Sequence, residues 1–345
     1  MARDVARRLR SWEGLLFVCV LVALALNITQ VSNYLTVTNQ VNLFQLGIEK
    51  AIVCLIMTFV IVNGDIDLSV ASMMGLSAAL VAYLFEHGWS FPLALLVALA
   101  VGLGFGIIAG YFVAVLGLSS LAVTLAGYIG YRGLAEVLVQ DNSVSGFPTW
   151  FTDLGQQGLI GKVTFSIILF FALAAIATVI LHFSGFGRLA YVIGNSKEVA
   201  RFSGVSVVQT KLAIFAISGF ISALAGILIT ARLGAVRAST AQGYELDIIT
   251  VVLLGGVSIF GGVGSMVGVL LSIYLVLNIR NGLVIAGVTG NIQTGIIGLL
   301  LILSVLLPNL AGRVQDRLRR GQTDPGARVP PAGPAEPTPS QTAAG

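Results

Sequence analysis

Long stretches without any charged residue constrain the fold of this chain more than any other feature. Seven such windows occur, at residues 14–47, 68–85, 87–131, 163–187, 212–231, 248–279 and 281–312. An α-helix needs about 20 mainly apolar residues to cross about 30 Å of hydrocarbon. Only 10% of the 345 residues are charged, whereas a soluble domain carries about 25%. The sequence therefore predicts an all-α polytopic membrane protein.

The apolar segments divide into about ten predicted membrane spans. They are residues 15–31, 46–62, 68–85, 91–116, 121–139, 163–183, 212–231, 246–259, 263–277 and 292–307. The eighth is short, so it either crosses with a tilt or enters as a broken helix shielded by its neighbours. We expect a transmembrane domain over residues 1–312. The tail, 313–345, is first basic and then rich in Pro, Ala and Gly, which predicts a disordered segment.

The distribution of basic residues predicts the orientation. With ten spans and the N-terminus inside, the inner segments hold 13 of the 19 lysines and arginines. Such an excess is typical of cytoplasmic segments, so both termini are predicted to be cytoplasmic. The net charge of +4 therefore reflects topology, and we expect no nucleic-acid partner.

A polar, basic loop at 184–211 interrupts the apolar pattern between spans 6 and 7. Within it, the stretch 194–201 is typical of a short capped helix. Asn195 or Ser196 is a candidate N-cap, Glu198 falls in the first turn, and Gly204 is a candidate stop. We expect this helix to be gripped by a cytoplasmic partner.

Two carboxylates, Asp65 and Asp67, lie in a polar break between spans 2 and 3. Charge inside a membrane is costly and often functional, which suggests an ion or proton site. Alternatively, Asp67 or Ser69 caps span 3 at the cytoplasmic boundary. We favour the second interpretation, in which this break, with Gly261 and Gly262, forms an inner hinge.

Several polar residues within or beside the spans could line a substrate path. They are Thr124, Asn278, Asn281, Gln293 and Thr294. Such groups both donate and accept hydrogen bonds, which suits a neutral polyhydroxylated solute. Each could instead make a structural bond between helices. Arg132 and Glu136, four residues apart, are predicted to pair with each other.

The sequence offers no pattern typical of catalysis or metal binding. Cys19 and Cys54 both lie in apolar segments, and the two histidines are far apart. There is no phosphate-binding glycine loop and no nucleophile–base motif. We therefore predict no catalytic residue, no metal site and no ATP hydrolysis by this chain. An intramembrane enzyme would need a constellation that is not found.

Four motifs resemble the sugar permeases of bacterial ATP-binding-cassette importers of the ribose type. The first is NGDIDLSV at 63–70, and the second is VTL followed by YRGL between 123 and 134. The third and fourth are GNSKEVARFSG at 194–204 and GGVSIFGGVGSMVG at 255–268. The third departs slightly from the family pattern, because the spacer before Asn195 is missing and Val199 replaces an alanine.

The resemblance implies an importer in the bacterial inner membrane, built from two permease subunits, identical or different. Two cytoplasmic ATPases, which bind ATP and Mg²⁺, would dock on the coupling helix of each permease. The coupling residues carried over are Gly194, Asn195, Lys197, Glu198, Arg201 and Gly204. A solute-binding protein would deliver a small sugar to the outer face, and membrane lipid would surround the subunit.

The resemblance implies a monosaccharide, for example ribose, rhamnose or a related furanosyl molecule, without separating these solutes. The rival hypothesis is an ion-coupled secondary transporter or channel that uses Asp65 and Asp67. That protein would transport alone, driven by an ion gradient and independent of any ATPase.

Overall fold

The computed structural model describes residues 12–30, 34–140 and 142–290, and beyond these residues 292, 293, 295, 296, 298, 299 and 302. The basic N-terminal tip, most of predicted span 10, Thr294 and the tail at 313–345 lie outside the described residues.

Helices dominate the first half of the described chain. They are α1 (Trp12–Gln30), α2 (Val37–Gln45), α3 (Ile48–Val62), α4 (Val70–Glu86), α5 (Phe91–Ala114) and α6 (Ser120–Val139). The turn at 87–90 lets Pro92 enter the first turn of α5, where a missing backbone N–H costs no hydrogen bond. Four of the predicted spans thus match α3 to α6 closely, because their boundaries carry turn and cap residues.

The second half continues with seven helices and adds two short antiparallel strand pairs. The helices are α7 (Thr149–Gln156), α8 (Phe165–Phe183), α9 (Gly185–Asn195), α10 (Lys197–Phe202), α11 (Val207–Leu233), α12 (Tyr244–Leu254) and α13 (Met266–Ile285). The strands are β1 (Val144–Ser145), β2 (Gly158–Ile160), β3 (Val163–Thr164) and β4 (Ala235–Val236), with β1 paired to β4 and β2 to β3.

Among the described residues, five helices are long and apolar enough to cross a membrane: α1, α5, α8, α11 and α13. Helices α2 and α3, which meet at 60°, would together form a sixth span. This confirms a predominantly helical, polytopic membrane protein. The count of ten spans remains a prediction.

Helix α3 forms the centre of the bundle, since all 15 of its residues are buried. It lies against α8, α11 and α12. Beside it, α11 packs closely along α5, where Gly102, Gly106 and Gly219 face one another. A Cβ atom on Gly219 would come within 2.9 Å of the Gly106 Cα atom. Small residues allow such close contact between membrane helices.

Two predicted boundaries are corrected by the structure. The segment 184–211 is not one loop with a single short helix, because α9 fills its first part and α11 begins at Val207. Lys211 therefore lies inside a long helix. Predicted span 8 is helical only over α12, which at about 1.5 Å per residue is too short to cross the hydrocarbon alone. A glycine-rich stretch at 255–265 continues it.

Candidate functional site

Three segments that are distant in sequence meet at four glycines, which we call the glycine junction: Gly64, Gly194, Gly261 and Gly262. Gly64 follows α3, Gly194 lies near the end of α9, and the other two lie between α12 and α13. The Gly262 amide donates to the Val62 carbonyl at 2.8 Å. A Cβ atom on Gly194 would overlap that carbonyl oxygen and come within 2.6 Å of the Gly262 nitrogen. The breaks after α3 and α12 are therefore locked to α9.

Side chains of α8 and α9 fasten the same region to the start of α13. The Tyr191 hydroxyl donates to the Gly264 carbonyl at 2.7 Å, and burial raises the pKa of this hydroxyl. The Met266 amide donates to His182 Nε2 at 3.1 Å. Asn195 rests against Gly262, where a Cβ atom would lie 2.5 Å from the Asn195 Oδ1 atom. Movement of α9 would therefore displace the glycine junction.

The predicted short helix exists as α10. Of the two candidate N-caps, it is Ser196 whose hydroxyl accepts from the Val199 amide at 3.3 Å. Glu198 lies in the first turn, where a carboxylate is favoured by the helix dipole. Gly204 follows the helix with φ of +75°, a conformation that suits glycine at a helix end.

Helix α10 is exposed on most of its surface and carries an aromatic residue that the sequence analysis missed. Phe202 is 93% exposed and Val199 59% exposed, while Ala200 is buried. Phe260, beside the glycine junction, is 85% exposed. Lys197, Glu198 and Arg201, the charged residues of this helix, are also exposed. Exposed aromatic residues beside charges are typical of a docking surface.

The two carboxylates of the break after α3 have different partners. Asp65 is 3% exposed and forms a buried ion pair with Lys211 of α11. Asn63 Nδ2 also donates to Asp65 Oδ2, at 2.9 Å. Lys211 was not recognisable from sequence as a buried residue, because the apolar segment begins only after it. This ion pair joins the break directly to the long helix that follows α10.

Asp67 is 4% exposed and is bound by hydroxyl and amide groups. It accepts hydrogen bonds from the Ser69 amide at 2.9 Å, the Ser69 hydroxyl at 2.6 Å and the Ser218 hydroxyl at 2.8 Å. Ser69 is the N-cap residue of α4, but its side chain makes no capping bond. Of the two expected caps, Asp67 is therefore the one that binds the start of α4, through the Ser69 amide, and its bond from Ser218 ties the break to α11.

The candidate path residues do not gather in one place. Thr124 is buried, and its hydroxyl lies 2.8 Å from the Ser120 carbonyl and 3.2 Å from that of Ile66. Thr124 therefore ties α6 to the break after α3. Gln293 Nε2 donates to the Val288 carbonyl at 2.9 Å.

Asn278 and Asn281 lie in a polar cluster at the other end of α13. The Tyr34 hydroxyl donates to Asn278 Oδ1 at 3.0 Å, and Asn39 Nδ2 donates to Asn281 Oδ1 at 3.2 Å. Asn27 joins the cluster through a 3.0 Å bond from Nδ2 to the Tyr34 hydroxyl. The Asn39–Asn281 bond joins α2 to α13, and Tyr34, in the turn before α2, links α1 to α13, which is the structural alternative for these residues.

Charged residues form a layer at the end of α3 opposite the glycine junction. Arg232 Nε lies 2.6 Å from Glu49 Oε1. Asp247 accepts from Lys50 at 2.9 Å and from Arg280 at 2.6 Å. Because α12 starts in this layer and the chain reaches the junction at Gly261, the segment 244–261 runs along α3, helical as far as Leu254 and irregular beyond it.

The predicted pairing of Arg132 with Glu136 is wrong for the described residues. The Arg132 guanidinium donates through one nitrogen to the Ala238 carbonyl at 2.7 Å and the Thr240 carbonyl at 2.9 Å. The turn after β4 therefore captures this side chain, and α6 is tied to that turn.

Long apolar helices around a buried, interrupted core define a multi-pass membrane protein with the broken helices found in many transporters. The chain belongs to the family described as branched-chain amino acid transport system, permease component, whose profile matches residues 39–305. This confirms the resemblance drawn from the four motifs.

Its relatives cover most of the chain. The ribose import permease protein RbsC of Bacillus subtilis is 34% identical over 88% of this chain and 93% of its own length. RbsC of Escherichia coli is 32% identical over 87% and 95%. The autoinducer 2 import system permease protein LsrD of Yersinia enterocolitica is 31% identical over 86% and 91%. No solved structure matches the chain.

Proposed function

We propose that this chain is the membrane-spanning permease subunit of an ATP-binding-cassette importer for a small sugar. The observation that carries the proposal is the position of α10, an exposed helix directly beside the glycine junction where two helix breaks meet. The names of its relatives, which are ribose and autoinducer 2 import permeases, support the same function.

In this proposal, α10 is the coupling helix on which a cytoplasmic ATPase docks. Lys197, Glu198 and Arg201 supply exposed charges, and Phe202 supplies an apolar anchor. Such anchors contribute most when they are fully desolvated by a partner. ATP and Mg²⁺ are bound by the ATPase, and this chain performs no catalysis.

Closure of the ATPases on ATP would move α10 as a lever and, through Asn195 and Gly194, displace the glycine junction. Asp65, Asp67, Ser69, Gly261 and Gly262 belong to the two breaks that meet there or beside it. We propose that these breaks are the inner hinge, and that Thr124, Asn278, Asn281, Gln293 and Thr294 meet the solute in other states of the cycle.

The complete importer would contain a solute-binding protein outside the membrane and a second permease subunit, identical or different. We place it in the bacterial inner membrane with ten spans and both termini in the cytoplasm. Ribose, rhamnose and furanosyl signalling molecules are the proposed solute class.

The rival function, an ion-coupled transporter or channel using Asp65 and Asp67, has less support. Asp65 is paired with Lys211, so of the two carboxylates only Asp67 lacks a counter-charge among the described residues. Relatives of the chain are named as import permeases.

The experiment that tests the proposal is purification of the tagged chain from its native membrane, with mass spectrometry of the copurifying proteins. The variants are Glu198→Arg and Phe202→Asp, and the matched control is Glu86→Arg, an exposed residue at the far end of α4. Because Glu198 and Phe202 are exposed, both variants should insert and fold normally, with stability within about 0.5 kcal/mol.

We expect an ATPase subunit to copurify with the wild type and the control and to be lost from both α10 variants. Recovery of a chain that still transports alone after reconstitution would overturn the proposal. Normal ATPase recovery in both variants would instead contradict the assignment of α10 as the coupling helix.

A further inference from the structure

A small cavity lies between the break after α3 and helices α4, α5, α6 and α11. Its volume is about 10 Å³, which is room for one water-sized particle. Asp67, Ser69, Tyr131 and Ser222 contribute the polar side chains of its lining, and Gly106 and Gly219 bring two backbones close to it. The cavity is therefore small and partly open, with four oxygen-bearing side chains in a mixed polar and apolar lining.

Asp67 brings a carboxylate to this cavity without a cationic partner. Among the described residues, ion pairs neutralise Asp65, Glu49 and Asp247, and none involves Asp67. Within the described part of the chain, Asp67 receives hydrogen bonds only from Ser69 and Ser218. A buried carboxylate that lacks a counter-charge is costly, so either a bound cation or a proton would stabilise it.

Ser222 provides independent support for a ligand. It is fully buried, it lines the cavity, and its hydroxyl oxygen has no hydrogen-bond partner within the described part of the chain. Buried hydroxyl groups almost always have a partner. One turn earlier on α11, Ser218 binds Asp67 with its hydroxyl at 2.8 Å. The missing partner of Ser222 is therefore expected inside the cavity.

We propose that this cavity binds one sodium ion, coordinated by the Asp67 carboxylate and the hydroxyl oxygens that face it. Hard cations prefer carboxylate, hydroxyl and carbonyl oxygen ligands, and the described residues hold no cluster of three or more acidic, His or Cys side chains for a divalent metal. Transporters built with broken membrane helices bind sodium at such breaks.

A sodium ion here would act as a fixed structural ligand. It would join the break after α3, through Asp67 and Ser69, to α11, through Ser222. The site is separate from α10, so it neither requires nor excludes an ATPase partner. Its effect would be to hold the hinge in the described conformation.

The test measures thermal unfolding of the purified full chain in detergent, in about 200 mM sodium, potassium or choline chloride. We expect an apparent Tm about 2–4 °C higher in sodium than in choline. Equilibrium dialysis with radioactive sodium should give one bound ion per chain. Asp67→Asn should remove both the sodium-dependent rise in Tm and the bound sodium, and Ser222→Ala should weaken both.

Ser166→Ala is the matched control, because Ser166 is another buried serine without a hydrogen-bond partner in the described chain and lies in α8, outside the cavity lining. It should keep the full sodium effect. Equal Tm values in sodium and choline, with no bound sodium, would overturn the proposal and assign the cavity to water or to a proton on Asp67. An equal rise in potassium would overturn the assignment to sodium. Neither result would affect the proposed importer.

Discussion

The Asp65–Lys211 pair shows how a single residue can tie the candidate coupling helix to the membrane core. Lys211 is 2% exposed and lies four residues after the start of α11, which follows α10 closely in the chain. Removing one member of a buried ion pair leaves the other charge uncompensated. The pair therefore makes the position of α11 depend on the break after α3.

We predict that Lys211→Met destabilises the protein by about 3–5 kcal/mol, because Asp65 is left buried and charged. Adding Asp65→Asn to the same chain should recover most of this loss. Thermal unfolding in detergent of the two single variants and the double variant measures the coupling. Equal stability of Lys211→Met and the double variant would contradict the ion pair.

Residue roles were the part of the site that sequence could predict least. The break at 63–69 and its carboxylates were recognisable because polar residues stand out between apolar segments. The distant partners were not: Lys211 of Asp65 and Ser218 of Asp67 lie on α11 and become neighbours of the break only through packing. Lys211 looked like a loop residue for the same reason: its counter-charge is 146 residues away.

At the scale of elements, the short helix α10 was predictable and its neighbour α9 was not. The signals of α10 are local, namely a serine cap, an acidic first turn and a glycine stop. Helix α9 contains three glycines, which are unfavourable inside a helix. It forms because tertiary contacts at the glycine junction require a close backbone approach at Gly194.

We predict that Gly194→Ala destabilises the protein by about 3 kcal/mol or more, since the new Cβ atom would overlap the backbone of Val62. The matched control is Gly185→Ala at the start of α9, where the nearest atom would be 3.9 Å away. The apparent Tm of the control should not fall. A similar Tm for the two variants would show that α9 is not held against α3.

Predicted span 8 was short and doubtful in the sequence, and in the structure it is a short helix, α12, followed by irregular chain. There is a physical reason why this arrangement is tolerated. An irregular chain is tolerated at membrane depth only where protein shields it. Trp12 of α1 provides part of this shield, because its indole nitrogen donates to the Leu254 carbonyl at 2.8 Å. A Cβ atom on Gly256 would come within 3.0 Å of that nitrogen. Hydropathy alone could not predict this cover.

At the scale of the whole molecule, sequence predicted the class and family well, because apolar windows and four motifs are visible without any structure. The orientation of the chain in the membrane is predicted only from the distribution of its basic residues. The glycine junction and the β2–β3 hairpin lie at opposite ends of α8, so they provide two sites for measuring it.

We predict that the hairpin faces outward and α10 faces the cytoplasm. In a Cys19→Ser background, Ile160→Cys should react with a membrane-impermeant maleimide in intact cells, because Ile160 is 70% exposed. Phe202→Cys should react only after the membrane is permeabilised. The background chain without added cysteine is the control, since Cys54 is buried. Labelling in the reverse order would invert the topology.

The buried charges of α3 also bear on how the chain is made. Glu49 meets its counter-charge 183 residues later in the sequence, at Arg232, and Lys50 meets Asp247 after 197 residues. At about 5–20 residues per second, a ribosome needs about 10–40 s to deliver these partners. During that interval the nascent α3 lacks the partners that its two charged residues have in the folded chain, so we expect its final packing to follow the synthesis of α11 and α12.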